Sequence, residues 1–329
     1  MRCHMKFKFR NVMMSAAILL ICVICFAMFY GKLNVTPDQI WNKIATGHDQ
    51  TLDAVIDLRM PRIIVALCAG ASLSVAGAYL QAVLKNPLAD ASIIGVSSGA
   101  LVMKTLVMLF IPTWFFYIPL ISFIGGILPF LLLLFLQARY RLNPVRMILV
   151  GVSMYAMLNG LLEYLTANPA VRLPSGLAFK VWKDSGQISM TTLIGLLIAV
   201  LFISQANMLA FDECQAHNIG FNIQRYRMII GIIAVFLASS SVAVAGPMAF
   251  VGLIVPHIAR RLVGSNYQKV IPCCVLFGAI AVLAADTIGR SATQHEIPAH
   301  IITVIIGGPF LIYLICKGAY RSESRQSGL

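Results

Sequence analysis

Four short stretches of this chain hold residue types that could do chemistry. Gly95-Val96-Ser97-Ser98-Gly99 fits the G-x-S-x-G pattern of a serine nucleophile, which needs a strand-to-helix elbow and a base within reach. Here the pattern opens an apolar run after a proline-containing turn and nothing nominates a partner histidine, so it reads as a close-packed helix start. His295-Glu296-Ile297-Pro298-Ala299-His300 nearly spells a zinc-protease motif, but that site needs histidines at i and i+4 on one helical face. The spacing is i and i+5 with a proline inside, so no metal site is assigned. Cys22-x-x-Cys25 matches a redox motif only in letters, because a lipid-embedded segment offers no thioredoxin context. Most of the eight cysteines fall within or beside apolar runs and read as small buried hydrophobes. The fourth stretch is Arg59-Met60-Pro61-Arg62, two arginines just ahead of the apolar run IIVALCAGASLSVAGAYLQ. No G-x-x-x-x-G-K-[ST] occurs in the chain, so it does not cradle ATP phosphates by that route. If an ATP-driven process uses this chain, a separate subunit must supply the ATPase.

The elements that position these residues follow from composition. Hydrophobic residues make up 59% of the 329, charged residues 11%, and the mean hydropathy is +0.86. A soluble chain could not hide that much apolar surface, whereas lipid removes the problem. No polar stretch is long enough for a separate soluble domain, so residues 1–329 are expected to form one all-α integral membrane domain. The net charge of +13 comes from basic residues scattered among short loops with no aromatic-basic groove, which argues against nucleic acid. Apolar spans are expected at 12–30, 62–82, 93–111, 117–137, 147–166, 190–206, 228–245, 247–262, 271–289 and 299–316. The first resembles a signal peptide but is long enough to span and lacks a small-residue cleavage site, so it is read as retained. The eighth is interrupted by Gly246, Pro247, Gly252 and Pro256, as broken helices are where protein covers the freed backbone.

Ten spans put both termini on one side. With the termini cytoplasmic, sixteen basic residues fall on inner segments and eight on outer ones, which favours that orientation. Arg59 and Arg62 then lie outside, where positive charge is usually scarce. The dense small residues from Ala69 to Ala78 let helix backbones approach closely. Within the spans, Lys104 must snorkel, pair or face water, at a cost of about 2.5–3.5 kcal/mol on insertion scales. Glu163 sits near an outer end. Asp286 and Arg290 are four residues apart on one helix, the spacing of an intrahelical ion pair. An ion-coupled secondary transporter would keep carboxylates near the membrane midplane, and Glu163 and Asp286 are the only candidates. An intramembrane hydrolase would rest on the two motif near misses above.

The ordered set RMPR, AGASLSVAGAYLQAVLKNPLADASIIGVSSGA, FVGLIVPHIARRLVG, AADTIGR, EIPAHI and GGPFLIYLI resembles the FecCD family of ABC importer permeases, over nearly the whole chain. That family imports iron-siderophores, haem and vitamin B12. Ala299-His300 departs from the hydrophobic residue and glycine found in many relatives. The resemblance implies the type II ABC importer permease fold: a homodimer of ten-span subunits around the substrate path. It also implies two ATPase subunits beneath and a substrate-binding lipoprotein docked outside. It implies no permanently bound cofactor and no enzymatic activity in this chain, since ATP acts through the partner ATPase. The expected localisation is the bacterial cell membrane, and the expected cargo is an iron chelate, haem ahead of a ferric siderophore.

Site residues follow from the same resemblance. Arg59, Arg62 and Arg290 match arginines that receive carboxylates of the binding protein. Asn86-Pro87-Leu88 resembles the loop at the cytoplasmic gate. Phe211 to Phe221, within a coupling segment of about 207–227, resembles the part seated in a groove of the ATPase; it puts Asp212, Glu213, Gln215, Ala216 and Gly220 at that contact. His257 and Arg260 are expected to lie near the ATPase too, with His257 read first as a hydrogen-bonded structural histidine. Lys104 is a possible pathway residue, offering a transient positive partner to haem propionates if it faces the path.

Overall fold

The computed structural model describes residues 8–30, 50–167, 176–211, 220–292 and 296–326. Among them lie eleven α-helices and no strand. They are α1 (Phe9–Phe29), α2 (Gln50–Val83), α3 (Val96–Phe110), α4 (Ile118–Tyr140), α5 (Pro144–Thr166) and α6 (Trp182–Leu201). The short α7 (Ile203–Met208) precedes α8 (Ile223–Ala245), α9 (Val251–Val263), α10 (Tyr267–Ser291) and α11 (Ala299–Gln326). Each of the ten expected spans holds a helix. Seven helical segments are long and apolar enough to cross a membrane unaided.

The shorter ones depart from regular spans for local reasons. The third span is expected from residue 93, but Gly95, at φ +84, caps a helix of 15 residues, about 22 Å of rise against a hydrocarbon core of about 30 Å. A 3-10 turn, Pro112–Tyr117, then leads into α4. The interrupted eighth span resolves into a non-helical link, with Gly246 at φ +84 and Phe250 at φ +67, before the 13-residue α9. The second span begins earlier than its apolar run, because α2 starts at Gln50. Arg59 and Arg62 therefore lie inside a helix, not ahead of one. Pro61 between them removes one helical hydrogen bond without ending the helix.

α2 and α8 are the most buried membrane-length helices, and α1 and α5 the least. α2 packs on α10, α8, α6 and α9. The small residues of α2 make this possible: a Cβ on Gly70 would strike the backbone of Gly278, and one on Gly77 the backbone of Gly252. Between helices this close, hydroxyls tie across. Ser74 donates to the Cys274 carbonyl at 2.7 Å, and Ser72 and Thr192 share a bond of 2.9 Å. Gly95 to Gly99 forms the tight start of α3, with Ser97 and Ser98 buried in packing.

Candidate functional site

The charged residues gather at opposite ends of α2. Arg62 and Gln81 are separated by roughly 28 Å of helix at about 1.5 Å per residue.

At the first end, Arg62 donates through Nε and Nη2 to the two oxygens of Asp286, both at 2.8 Å, and through Nη1 to Glu296 at 2.9 Å. Such a planar fork matches a carboxylate bidentately. Asp286 is buried, so the ion pair with Arg290 expected from their spacing is replaced by one with Arg62. Arg290 instead donates to the carbonyls of Ala27, at 2.5 Å, and Tyr30, at 3.1 Å. Arg59 donates to the Met28 carbonyl at 2.5 Å. The last turn of a helix leaves carbonyls without intrahelical donors, and cations there also oppose the negative end of the macrodipole. Arg59 and Arg290 thus cap the C-terminus of α1. Both are buried, and the Nε of Arg290 has no hydrogen-bond partner among the described residues. The three arginines singled out from the sequence do converge. Two of them hold α1, and Arg62 reaches an exposed carboxylate, that of Glu296.

At the other end the chain leaves α2 through a tight loop. Lys85, at φ +48, turns the backbone, and Lys85 Nζ donates to the Phe211 carbonyl at 3.0 Å. Asn86 is buried and its side chain accepts from Leu88 N at 2.9 Å, while Pro87 is exposed. Asp90 is buried; its carboxylate accepts from Ser92 N at 2.8 Å, from the Ser92 hydroxyl, and from the backbone N–H of Gly252. Burial pushes the Asp90 carboxyl above the usual carboxylate range, and these hydrogen bonds oppose the shift. Gln81 links the loop to α9: its amide N–H donates to the Gly252 carbonyl at 3.1 Å and the Ala89 carbonyl at 3.4 Å. Arg260 donates to the Gln81 side-chain oxygen, through Nη1 at 2.9 Å and through Nη2 as well. Gln81, Lys85, Asn86, Pro87 and Arg260 wall a cleft of about 310 Å³, closed on its other side by Ala206, Leu209, Ala210 and Tyr267.

The remaining sequence-predicted residues sit apart from both clusters. Asp212, Glu213, Gln215 and Ala216 lie outside the described residues, while Gly220 stands at φ +70 in an exposed turn just before α8. His257 packs edge-on against Phe310 of α11, with ring centroids 5.8 Å apart. Lys104 is half-buried and feels the charges of Lys180 and Asp184, where α6 begins. Lys180 is itself buried, which lowers its pKa, against the raising effect of Asp184. An apolar groove of about 690 Å³ is lined by Phe116, Leu120, Trp182, Met190 and Phe236, with Lys183 lying 4.1 Å above the Phe116 ring. A second apolar groove of about 430 Å³ is lined by Met103, Met154 and Met157 between α3, α4 and α5.

Sequence reasoning gave Gln81 and Asp90 no role, and met Glu296 only inside the rejected zinc motif and the family stretch EIPAHI. Asp90-x-Ser92 carries a recognisable signal, since an aspartate that bonds the backbone two residues on makes an Asx turn. A lone glutamine in an apolar helix carries none.

Comparison with known proteins identifies the family and the fold. The chain matches the FecCD transport family over residues 19–317. It is 48% identical over 313 residues to the "Probable heme-iron transport system permease protein IsdF" of Staphylococcus aureus strain Newman, covering 95% of this chain and 97% of that one. The same identity and coverage hold for that protein from strain USA300. A solved structure of a metal-chelate type ABC transporter in an inward-facing conformation superposes with a TM-score of 0.78 at 26% identity, over 94% of this chain and all of that one. PsaBC from Streptococcus pneumoniae, in complex with Fab, shares the fold at a TM-score of 0.57 and 18% identity, over 84% of this chain and 94% of that one. The chain belongs to the FecCD transport family and is a multi-pass membrane permease subunit of an ABC importer.

Proposed function

We propose that this permease imports haem into the cytoplasm by alternating access, as a homodimer driven by a separate ABC ATPase and fed by an extracellular binding lipoprotein. The carrying observation is the 48% identity, along 95% of the chain, to a heme-iron transport permease. The Arg62 end of the bundle faces outside the cell membrane, and the Gln81 end, with both termini, faces the cytoplasm. Asn86 to Leu88 form the inner gate, and the segment about Asp212 to Gly220 meets the ATPase. Covalent chemistry has no place in this reading: the Gly95–Gly99 serines are packed, and ATP acts through the partner.

Physical chemistry supports it. Asp286 has both oxygens engaged by Arg62, so it is poorly suited to carry a coupling ion, and Glu163 is exposed on α5. Apolar and methionine-lined grooves give weak contact to a large flat ligand, which suits a path that must release its cargo. Strong iron ligation then belongs to the binding protein. Docking of that protein uses Arg62, whose exposed Glu296 contact a partner carboxylate can replace, over the scaffold formed by Arg59 and Arg290.

The test is uptake in proteoliposomes holding the permease, its ATPase and its binding protein, with haem and ferric siderophores in competition. Saturable, ATP-dependent haem uptake is expected. Uptake of a ferric siderophore with none of haem would overturn the cargo and leave the transporter class standing.

A further inference from the structure

We infer that Gln81 is the positioning residue through which α9 sets the inner gate loop, in series with Arg260. This rests on the reading of Asn86 to Leu88 as that gate.

Four contacts meet on this one buried side chain and its backbone. The Gln81 carbonyl accepts from Asn86 N at 3.1 Å, which fixes the first turn of the gate loop. The side-chain N–H group spans the gap between the loop, at the Ala89 carbonyl, and the start of α9, at the Gly252 carbonyl. The side-chain oxygen accepts from Arg260, near the other end of α9. A glutamine suits this position because it presents two donors and one acceptor on a rigid amide, so all three partners are served at once. Asp90 clamps the same joint from the loop side by accepting from Gly252 N–H.

The surroundings make the joint stiff. Gly77 of α2 lies directly against Gly252, so α9 cannot slide over α2 at that point without carrying the loop. The link before α9 holds Gly246 and Phe250 at positive φ, a conformation costly for a phenylalanine and typical of segments over-determined by their surroundings. Arg260 lies in the last turn of α9, half-buried, with its guanidinium turned into the cleft onto Gln81. Displacement of that end of α9 pulls on the Gln81 oxygen, and the same rigid amide group bears on the carbonyls of Ala89 and Gly252.

The experiment uses the full transporter in proteoliposomes, with ATP hydrolysis and haem uptake measured on the same vesicles. Gate movement is read in a Pro87→Cys permease, in a background lacking Cys3 and Cys214 as well as the exposed Cys22, Cys25 and Cys316 thiols, as labelling by a charged maleimide with and without ATP and vanadate. Gln81→Leu is expected to leave hydrolysis within about twofold of the parent, to lower uptake about tenfold, and to abolish the nucleotide-dependent change in labelling. Gln81→Glu keeps the Arg260 partner and cannot donate to the two carbonyls, so it should uncouple equally, which covers the case in which Gln81→Leu fails to fold. Arg260→Met should uncouple too, and the double variant should be no worse than either single one, because one chain of contacts is being cut. Hydrolysis and uptake falling in parallel, multiplying effects in the double variant, or a labelling change retained in the Gln81 variants would overturn the assignment. Labelling of Pro87→Cys that ignores nucleotide in the unaltered background would instead remove the gate reading itself.

Discussion

Arg62 and Asp286 stand 224 residues apart in sequence and meet through two parallel hydrogen bonds of 2.8 Å. The pair locks α2 to α10 beside the capped end of α1, so these arginines have structural roles of their own, apart from any docking. Removing one partner of a buried pair leaves the other charge uncompensated, at about 3–5 kcal/mol, whereas replacing both with apolar residues is often neutral. Asp286→Ala should therefore lower thermal stability in detergent sharply. Arg62→Met combined with Asp286→Leu should recover most of the loss. A double variant as unstable as Asp286→Ala would mean the pair does more than compensate itself.

Glu296 is the exposed partner of Arg62 and competes with any carboxylate brought by a docking protein. Glu296→Gln should tighten binding of the cognate lipoprotein by about three- to tenfold at low salt, the size of a partly exposed charge contact. Arg62→Ala should weaken it. Titration of the binding protein against permease in nanodiscs, at two salt concentrations, reads both signs directly.

Arg59 and Arg290 hold the last carbonyls of α1. Hydrogen bonds from charged donors contribute about 1.5–3 kcal/mol each. Arg290→Met should accordingly loosen the end of α1, seen as faster amide hydrogen exchange over residues 27–30. Charge reversal at Arg59 would set a carboxylate against the Met28 carbonyl and damage the same end, and loss of Arg62 would strand buried Asp286, so the exposed Glu296 is the better site for a clean docking test. Unchanged exchange in Arg290→Met would remove the capping role.

The ten spans are legible because lipid imposes a long apolar run on each, and runs of that kind survive reading by eye. Their ends are less so. Residues 50–58 mix polar and apolar types and show no long apolar run, yet they form the start of α2. The outer site is half legible. Arg59, Arg62 and Arg290 do converge, but the sequence offers Asp286 a local partner four residues away, and the fold gives it one 224 residues away. Spacing along a helix exposes local alternatives and is silent on contacts between helices. The inner joint is invisible for the same reason: of the four partners of Gln81, Gly252 and Arg260 lie on a segment that only the fold brings near.

Lys85 reaches the Phe211 carbonyl, the last described position before the segment assigned to the ATPase. A photo-crosslinker at Gln215 or Ala216 should capture the ATPase subunit in the intact transporter. Substitution of Asp212 and Glu213 together should lower uptake several-fold more than hydrolysis. A segment whose crosslinks never reach an ATPase would be the wrong lever.

Asp90 gives the inner joint a pH signature. Its carboxyl is raised by burial, with hydrogen bonds from Ser92 and Gly252 in opposition. An acid whose pKa is raised on folding binds its proton more tightly in the folded chain. Its contribution to stability is complete below the unfolded value of about 4 and is lost as pH rises through the folded value. Asp90→Asn mimics the neutral side chain at every pH and removes that pH-dependent loss. It also exchanges one acceptor for a donor facing Gly252 N–H, a cost that does not vary with pH. The stability of the unaltered permease relative to Asp90→Asn should therefore be greatest near pH 4 and decline as the pH is raised above it. Thermal unfolding of both proteins in one detergent across that range measures the difference, and the constant cost cancels from its slope. A flat difference, or one that grows with pH, would show that hydrogen bonding outweighs burial and holds Asp90 ionised throughout.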